Sequence, residues 1–168
     1  MVADVNTRAA RGDDLSTLAK VFGQEQFFVD RLERQRGGRG MLLIAELDDL
    51  AVGDVYLWLE PAEEPELNRY LPGVPLIQHF EVHEPFQSRG IGTRLLAAAE
   101  RELRHRGHGR VALGVGLSNE GAMRLYQRLG YREWPYGVIA TSWEEFLPNG
   151  ARRRTSEWCH IYLKDLTD

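Results

Sequence analysis

The sequence has little cysteine, no long hydrophobic run and no excess of basic charge, and each shortage excludes a class of protein. Cys159 is the single cysteine, which excludes an internal disulfide and is typical of a reducing compartment. The longest apolar runs, such as Met41 to Ala45 and Leu95 to Ala99, are far shorter than the roughly 20 residues of a membrane-spanning helix. With 21 basic and 25 acidic residues, charge alone does not favour nucleic-acid binding.

The N-terminal segment also gives no indication of secretion. Met1-Val2-Ala3-Asp4 lacks the basic and apolar regions of a secretory signal. We therefore expect a cytoplasmic protein without a membrane or nucleic-acid partner, in which Cys159 is a buried thiol. The 168 residues fit a single domain, 1–168, large enough to bury its own core.

The first 75 residues predict helices and a hairpin from their hydrophobic periodicity. Asp13 or Asp14 is expected to cap the first helix. The predicted elements are a strand Val2–Arg8, helices Asp14–Phe22 and Gln24–Gln35, and strands Met41–Leu47 and Ala51–Leu59 joined by a turn at Asp48-Asp49. Phe27 and Phe28 favour a packed core face over a substrate entrance.

The remainder predicts a strand–helix–strand unit followed by a helix and two closing strands. Its two central strands should be parallel, since a helix connects them. The predicted elements are strand Leu76–Val82, a helix from Thr93 to Arg106, strand Val111–Val115, helix Glu120–Leu129 and strands Tyr131–Ala140 and Glu157–Leu163. The fold class is therefore α/β, a mixed sheet with helices on both faces. Arg152-Arg153-Arg154 is expected to be a solvated turn.

A tight glycine loop, Gln87-Ser88-Arg89-Gly90-Ile91-Gly92, lies between the strand Leu76–Val82 and its helix. Glycines there let the backbone N–H groups approach a ligand closely, and the helix N-terminus adds unpaired donors and the positive end of its dipole. The pattern indicates a site for phosphate or pyrophosphate, with Arg89 as a charged contact. It has neither the Gly-Lys-Ser/Thr ending of a P-loop nor the first glycine of the dinucleotide fingerprint.

Two segments resemble the GNAT N-acetyltransferase family. The run from Val82 to Leu96, which contains Gln87-Ser88-Arg89-Gly90-Ile91-Gly92, resembles its acetyl-CoA motif. The segment Asn119-Glu120-Gly121-Ala122-Met123-Arg124-Leu125-Tyr126, followed by Leu129-Gly130-Tyr131, is similar to its second signature. Both occur in the family's order and spacing, which is more specific than either motif alone.

The resemblance implies a GNAT-like acyl-CoA N-acyltransferase fold and an acetyl-CoA site, with no metal. In that fold the strands Leu76–Val82 and Val111–Val115 splay apart and the pantetheine arm lies between them. Phe80 and Val82 would then bind the pantetheine through their backbones, and Asn119 would contact it as well as cap its helix. The pyrophosphate would be held by Gln87, Ser88, Arg89, Gly90, Ile91, Gly92 and Thr93.

The resemblance also implies direct attack of an amine on the thioester, with Tyr126 as the acid that protonates the leaving thiolate. The base stays open. Gly114 stands where some family members carry a glutamate, whereas His79 and Glu81 lie on the strand that others use. Strand alternation places Gln78 on the opposite face from these two. Ordered water is the alternative proton acceptor.

The acceptor is the least constrained part of the prediction. The acidic segment Glu60 to Glu66 is either a solvated linker, as charge runs usually are, or a rim that attracts a cationic amine. Aromatic residues that could frame the acceptor are Phe27, Phe28, Trp58, Trp134, Tyr136 and Trp143. A small-molecule amine is expected, with a protein or peptide amine, a longer acyl group or a catalytically silent acyl-CoA-binding module as alternatives. A homodimer stays open.

Overall fold

The computed structural model describes residues 4–167, which group into two units. The first unit extends up to Trp58 and includes Gln78–Glu102. The second comprises Leu59–Ile77 and the chain from Leu103 onward. The expectation of a single domain, 1–168, stays a prediction, and Val2 and Ala3, at which the first strand was predicted to begin, lie outside the described residues.

The described residues form five α-helices and eight strands. The helices are α1 (Leu15–Phe22), α2 (Glu25–Arg36), α3 (Pro65–Tyr70), α4 (Ile91–His105) and α5 (Glu120–Arg128). The strands are β1 (Asn6–Ala9), β2 (Gly40–Leu47), β3 (Leu50–Trp58), β4 (Leu76–Val82), β5 (Arg110–Gly116), β6 (Arg132–Glu133), β7 (Ile139–Phe146) and β8 (Arg152–Asp165). Among the residues described, no helix is long and apolar enough to cross a membrane.

The first unit contains an antiparallel ladder of β1, β2 and β3. Asp48 and Asp49 both have positive φ, 50° and 64°, so they form the two-residue hairpin turn that was predicted. β4 is the next strand of the sheet after β3. Just beyond the end of β4, His83 N donates to Val52 O of β3 at 2.7 Å.

Helices cover both faces of this part of the sheet, as expected. On one face α4 packs so closely that a Cβ added to Gly53 would lie 2.8 Å from Leu95 Cδ1. On the other face α2 places Phe27 against His79, with ring centroids 4.5 Å apart. Phe27 and Phe28 are buried, which confirms their predicted core position.

The second unit contains the parallel and antiparallel pairings of a mixed sheet. The first two residues of β4 pair with β5 in parallel, Leu76 with Ala112 and Ile77 with Leu113. β8 runs antiparallel to β5, β6 and β7. The predicted fold class is confirmed, and the parallel ladder ends after Ile77.

Apolar side chains from α3 cover one face of the second unit's sheet. Leu67 and Leu71 form a buried cluster with Ala112, Ile161 and other apolar residues of that face. Tyr162 points to the opposite face, where its hydroxyl accepts from Gln127 of α5 at 3.3 Å. The second unit therefore also has a helix on each face of its sheet.

The predicted strand Tyr131–Ala140 is wrong in its extent. Pairing stops after Glu133, and the chain turns through Gly137, whose φ is +85°, before β7 begins at Ile139. The indole of Trp134 is buried and its Nε1 donates to Gly137 O at 2.7 Å, which closes the turn. The buried Trp134 indole and its hydrogen bond to Gly137 O thus end the strand early, although the composition of residues 131–140 favours a longer one.

Three smaller predictions also need correction. Arg152-Arg153-Arg154 is the start of β8 rather than a turn, because Arg152 and Arg153 pair with Glu144 and Glu145 across the β7–β8 hairpin. The predicted acidic loop ends in a helix, α3, with Pro65 at its first position. Asp14 is the N-cap residue of α1, as one of the two predicted candidates, but its side chain makes no hydrogen bond to that helix, since its carboxylate accepts from Arg11 N before the 3-10 turn Gly12–Asp14 and pairs with Arg8.

The close packing of α4 on β3 is testable at Gly53. Gly53→Ala should lower the free energy of unfolding by about 1–3 kcal/mol, because its Cβ would crowd Leu95 Cδ1 at 2.8 Å and Glu81 O at 3.2 Å. Gly114→Ala in β5 is the control, since its Cβ would have only ordinary contacts of 3.5 Å or more. This control should gain about 0.5–1 kcal/mol. Denaturant unfolding in which both variants change alike would contradict the packing described.

Candidate active site

The glycine loop has the backbone conformation of an anion site. Ser88 and Gly90 have positive φ, 62° and 82°, and α4 begins directly after them at Ile91. Arg94 N donates to Gly90 O at 3.1 Å. Within residues 4–167, the N–H groups of residues 88–93 donate to no backbone carbonyl. These donors and the exposed Arg89 are available to a phosphate.

Local contacts hold this loop in place. Gly92 lies so close to β4 that a Cβ there would come within 2.9 Å of Phe80 Cζ and 3.7 Å of Val82 Cγ2. Gln87 Nε2 donates to Val82 O at 3.0 Å, which ties the loop back to the end of β4. The guanidinium of Arg89 lies 5.4 Å from the ring centroid of Phe86. The loop is thus fixed by the strand before it and the helix after it.

The start of α5 carries the second predicted group of residues. Asn119 Oδ1 accepts from Ala122 N at 3.1 Å, so Asn119 is the N-cap of α5. Tyr126 lies on the same helix, is buried, and packs edge-on against Tyr131 with ring centroids 5.6 Å apart. Burial raises the pKa of Tyr126 to about 12, so its hydroxyl keeps its proton at neutral pH.

Three titratable side chains, which we call the carboxylate–histidine cluster, meet where β3 and β4 face α2: Asp54, His79 and Glu81. His79 Nε2 lies 2.5 Å from Glu81 Oε2 and 3.1 Å from Asp54 Oδ1. The side chain of Asp54 is fully buried, whereas those of His79 and Glu81 are 22% and 29% exposed. One oxygen or nitrogen from each residue lies within 4.8 Å of the others, which is close enough for a shared proton or a metal ion.

The imidazole has one Nε2 proton for two carboxylates. That proton is directed at Glu81 Oε2, which is nearer, so Asp54 has only the longer contact of 3.1 Å between His79 Nε2 and its Oδ1. A buried carboxylate that shares its one nearby donor with another carboxylate is costly to ionise. Asp54 is therefore the member of the cluster whose charge is least supported.

The pKa values of the cluster follow from burial and from these contacts. Burial raises the pKa of Asp54 to about 7, although His79 opposes the rise. Burial lowers the pKa of His79, but the carboxylates of Asp54 and Glu81 outweigh it and raise that pKa to about 9. Burial raises the pKa of Glu81, but its contacts with His79 outweigh it and hold that pKa below its usual range. At neutral pH His79 is thus an imidazolium and Glu81 a carboxylate.

Aromatic rings and one buried arginine surround the cluster. Phe27 and Phe28 of α2 both contact the His79 ring. The guanidinium of Arg31 lies 4.5 Å from the ring centroid of Phe27 and 5.0 Å from that of Tyr56. Arg31 Nη2 also donates to Gln78 Oε1 at 2.9 Å, so Gln78 reaches α2 despite the strand alternation. The cluster is open to solvent only in part.

The sequence of this region matches a known protein family. Residues 10–131 match the model described as the acetyltransferase (GNAT) family. The chain belongs to this family. The match covers the glycine loop, the carboxylate–histidine cluster and Tyr126 together.

One curated relative is also an N-acetyltransferase by name. The chain is 31% identical over 129 residues to an uncharacterized N-acetyltransferase of Methanocaldococcus jannaschii, a match that covers 75% of this chain and 53% of that protein. The chain therefore spans about half the length of this curated relative.

Solved structures of GNAT proteins share the fold. The PaiA N-acetyltransferase from Thermoplasma acidophilum, in complex with coenzyme A, aligns with a TM-score of 0.68 at 15% identity, over 96% of this chain and 99% of that one. The ribosomal-protein-S18-alanine N-acetyltransferase from Escherichia coli aligns with a TM-score of 0.69 at 17% identity, over 98% and 96%. At these identities the similarity establishes the GNAT fold and not the substrate.

Asp54 is the member of the carboxylate–histidine cluster that was not predicted from the sequence. The signal was an acidic residue inside the apolar run Leu50–Trp58, where a buried charge needs a partner. Its partners lie on β4, about 25 residues away, so hydrophobic alternation alone could not identify them. The sequence did indicate His79 and Glu81, which the fold brings together with Asp54.

The residues that could frame the acceptor lie in several different environments. Of the acidic segment, Glu63 lies 3.5 Å from Arg154 Nη2 and Glu64 accepts from Ser142 N at 3.2 Å. Trp58 and Trp134 are buried in the core, whereas Tyr136 is 53% exposed and stacks on Tyr70. Parts of the acidic and aromatic segments thus serve local structure.

Proposed function

We propose that this GNAT protein is an acetyl-CoA-dependent N-acetyltransferase that acetylates a primary amine of a small molecule by direct attack. The observation that carries the proposal is the glycine loop, whose N–H groups at the start of α4 donate to no backbone carbonyl within residues 4–167, as donors to a pyrophosphate must. The family match supports the same cofactor.

Residues of the loop hold the cofactor in this proposal. Backbone N–H groups from Ser88 to Thr93 bind the pyrophosphate and Arg89 adds a charge-assisted contact. The N–H of Gln87 already donates to Glu84 O at 3.2 Å, so Gln87 contributes through its side chain, which ties the loop to β4. Phe80, Val82 and Asn119 remain predicted contacts of the pantetheine arm. When bound, acetyl-CoA supplies the activated acetyl group that the amine attacks.

Tyr126 is the proposed proton donor to the leaving thiolate. Its pKa of about 12 keeps the proton on Oη at neutral pH, so Tyr126 is in the donor state when the reaction begins. The proton passes to the sulfur as the C–S bond breaks, which prevents the thiolate from attacking the amide product, and the tyrosinate is then reprotonated from solvent. An intact Tyr126 favours an enzyme over a silent acyl-CoA-binding module.

The proton that the amine loses goes to the β4 side of the site in this proposal. His79 is already protonated below about pH 9, so Glu81 is the group of the two that can accept at neutral pH. Both side chains are partly exposed, as a group that meets a substrate must be. Ordered water is the alternative acceptor.

A small, cationic amine is the proposed acceptor, and the protein is proposed to act in the cytoplasm. The support for a cation is the acidic segment from Glu60 to Glu66, although Glu63 and Glu64 already have partners. The support for the cytoplasm is the free, buried thiol of Cys159. Protein or peptide amines are the second acceptor class, and a homodimer is compatible with either.

The anion site predicts the effect of Gly90→Asp. A side chain at φ +82° is strained, and its carboxylate would repel the pyrophosphate, so the affinity for acetyl-CoA should fall by about 100-fold or more. Gly107→Asp is the matched control, since Gly107 has φ +86° and no atom within 4 Å of an added Cβ. Calorimetry should find normal affinity in the control. Normal affinity in Gly90→Asp would contradict the assigned site.

The acid role predicts the effect of Tyr126→Phe. Turnover should fall by about 10²–10⁴-fold because the thiolate loses its proton donor, while the affinity for acetyl-CoA stays the same. Turnover is measured by release of free thiol with a library of small amines and N-terminal peptides, which also identifies the acceptor class. Tyr70→Phe, at a tyrosine that stacks on Tyr136, should behave as wild type. Unchanged turnover in Tyr126→Phe would remove it as the acid.

A further inference from the structure

The carboxylate–histidine cluster contains a buried carboxylate in addition to the partly exposed one that a general base requires. Glu81 alone would supply an exposed carboxylate, yet the fold also buries Asp54 completely behind it. Burying a carboxylate whose one nearby donor, His79 Nε2, is shared with Glu81 costs free energy, so its presence calls for a compensating role. Asp54 occupies the inner position, His79 the middle and Glu81 the outer one.

The spacing of the cluster fits a shared proton better than a metal ion. Two ligands on a tetrahedral zinc ion, each about 2.0–2.1 Å from it, lie about 3.3 Å apart. His79 Nε2 and Glu81 Oε2 are 2.5 Å apart, which is a hydrogen-bond distance. The arrangement therefore suits one proton held between nitrogen and oxygen.

Other groups around Asp54 leave its charge uncompensated. On β2 the residue opposite Asp54 is Ile44, and α2 presents Phe27 and Phe28 to the cluster. Arg31 packs over Tyr56, and its Nη1 is engaged by Asp30. Lys20, on α1, is exposed. The charged groups next to Asp54 are the imidazolium of His79, which favours its ionised form, and the carboxylate of Glu81, which opposes it.

We propose that Asp54 is the final acceptor of the proton that the amine substrate loses, which it receives through Glu81 and His79. This inference rests on the proposed acetyltransferase function and extends it by naming where the proton goes. Asp54 does not touch the substrate, so it acts as a positioning and proton-storing residue behind Glu81.

The transfer balances in three linked movements. An N–H bond of the substrate ammonium breaks, its electron pair stays on nitrogen, and the proton passes to a Glu81 oxygen. His79 Nε2 gives its own proton to Asp54 Oδ1 and takes the one on Glu81 Oε2. Glu81 and His79 return to their starting states, and one proton remains on Asp54. The path uses the two contacts of 2.5 and 3.1 Å.

The cluster is better suited to this task than Glu81 alone. A general base works best with a pKa near the operating pH, and Glu81 is held below its usual range. Asp54, with a pKa of about 7, titrates where the enzyme works. Uptake of the proton also removes a buried negative charge instead of creating a new one.

Infrared spectroscopy of the free protein tests the proton site without any substrate. Ordinary carboxyl groups have lost their protons by pH 5.5, so a carboxylic-acid C=O band that disappears with a midpoint near pH 7 identifies a buried acid such as Asp54. The band should be present in wild type and in Asp49→Asn, a change in the turn of the same hairpin, and absent in Asp54→Asn. Its persistence in Asp54→Asn, or its absence from wild type, would overturn the proposal.

The pH dependence of turnover tests the role. With the acceptor found by library screening, kcat should rise through about pH 7 in wild type and in Asp49→Asn. Asp54→Asn should lose this rise and about 10²-fold or more of turnover at pH 8, with unchanged affinity for acetyl-CoA. An identical profile in Asp54→Asn would overturn the proposal.

Glu81→Gln is the second variant, because its partly exposed position tolerates change better than the core does. It should keep an infrared band, moved to lower pH by loss of the neighbouring negative charge, yet lose turnover as Asp54→Asn does. Undiminished turnover would overturn the proposed path. A wild type with the band but with no turnover on any amine would instead overturn the acetyltransferase function, and with it the role of Asp54, while the proton site would stand.

Discussion

The close contact between α4 and the strands β3 and β4 decides where both parts of the candidate site lie. Gly53 of β3 leaves room for Leu95 of α4, and Gly92 of α4 leaves room for Phe80 of β4. These two contacts fix the direction in which α4 begins. The glycine loop then presents its N–H groups at a defined end of the helix. Since strand residues alternate, the same contact sends Asp54, His79 and Glu81 to the opposite face, toward α2.

On the opposite face, burial of the Asp54 carboxylate costs free energy, whereas the other residues of β3 are uncharged. Most of β3 is buried and apolar, yet Asp54 stands in its middle. The pairing with His79 offsets part of the cost, because an imidazolium next to two carboxylates is stabilised by both. It does so only in part, since its single Nε2 proton is directed at Glu81. The result is a group whose pKa lies near neutrality, which is the property that the proposed removal of a proton from an amine requires.

Local signals in the sequence predicted much of this arrangement. The strand Leu76–Val82 and the helix after the glycine loop follow from apolar periodicity, and the two motifs indicate the GNAT family. The sequence failed where distant contacts decide the outcome. Trp134 ends a predicted strand by bonding Gly137, and Arg152 and Arg153 form a strand because glutamates lie opposite them.

The same limit explains why Asp54 was missed while His79 and Glu81 were found. His79 and Glu81 precede the glycine loop by a few residues, so the family motif drew attention to them. Asp54 comes from a different strand, and only the pairing of β3 with β4 brings it within 3.1 Å of His79. A single acidic residue in an apolar strand has no neighbour in sequence that reveals its partner.

Hydrogen–deuterium exchange with and without saturating acetyl-CoA tests the central claim most directly, because it observes the loop amides themselves. If the glycine loop binds the pyrophosphate, the amides of residues 88–93 should exchange quickly in the free protein and become strongly protected on binding, since they donate to no backbone carbonyl beforehand. Tight binding of acetyl-CoA that leaves these amides unprotected would contradict the account.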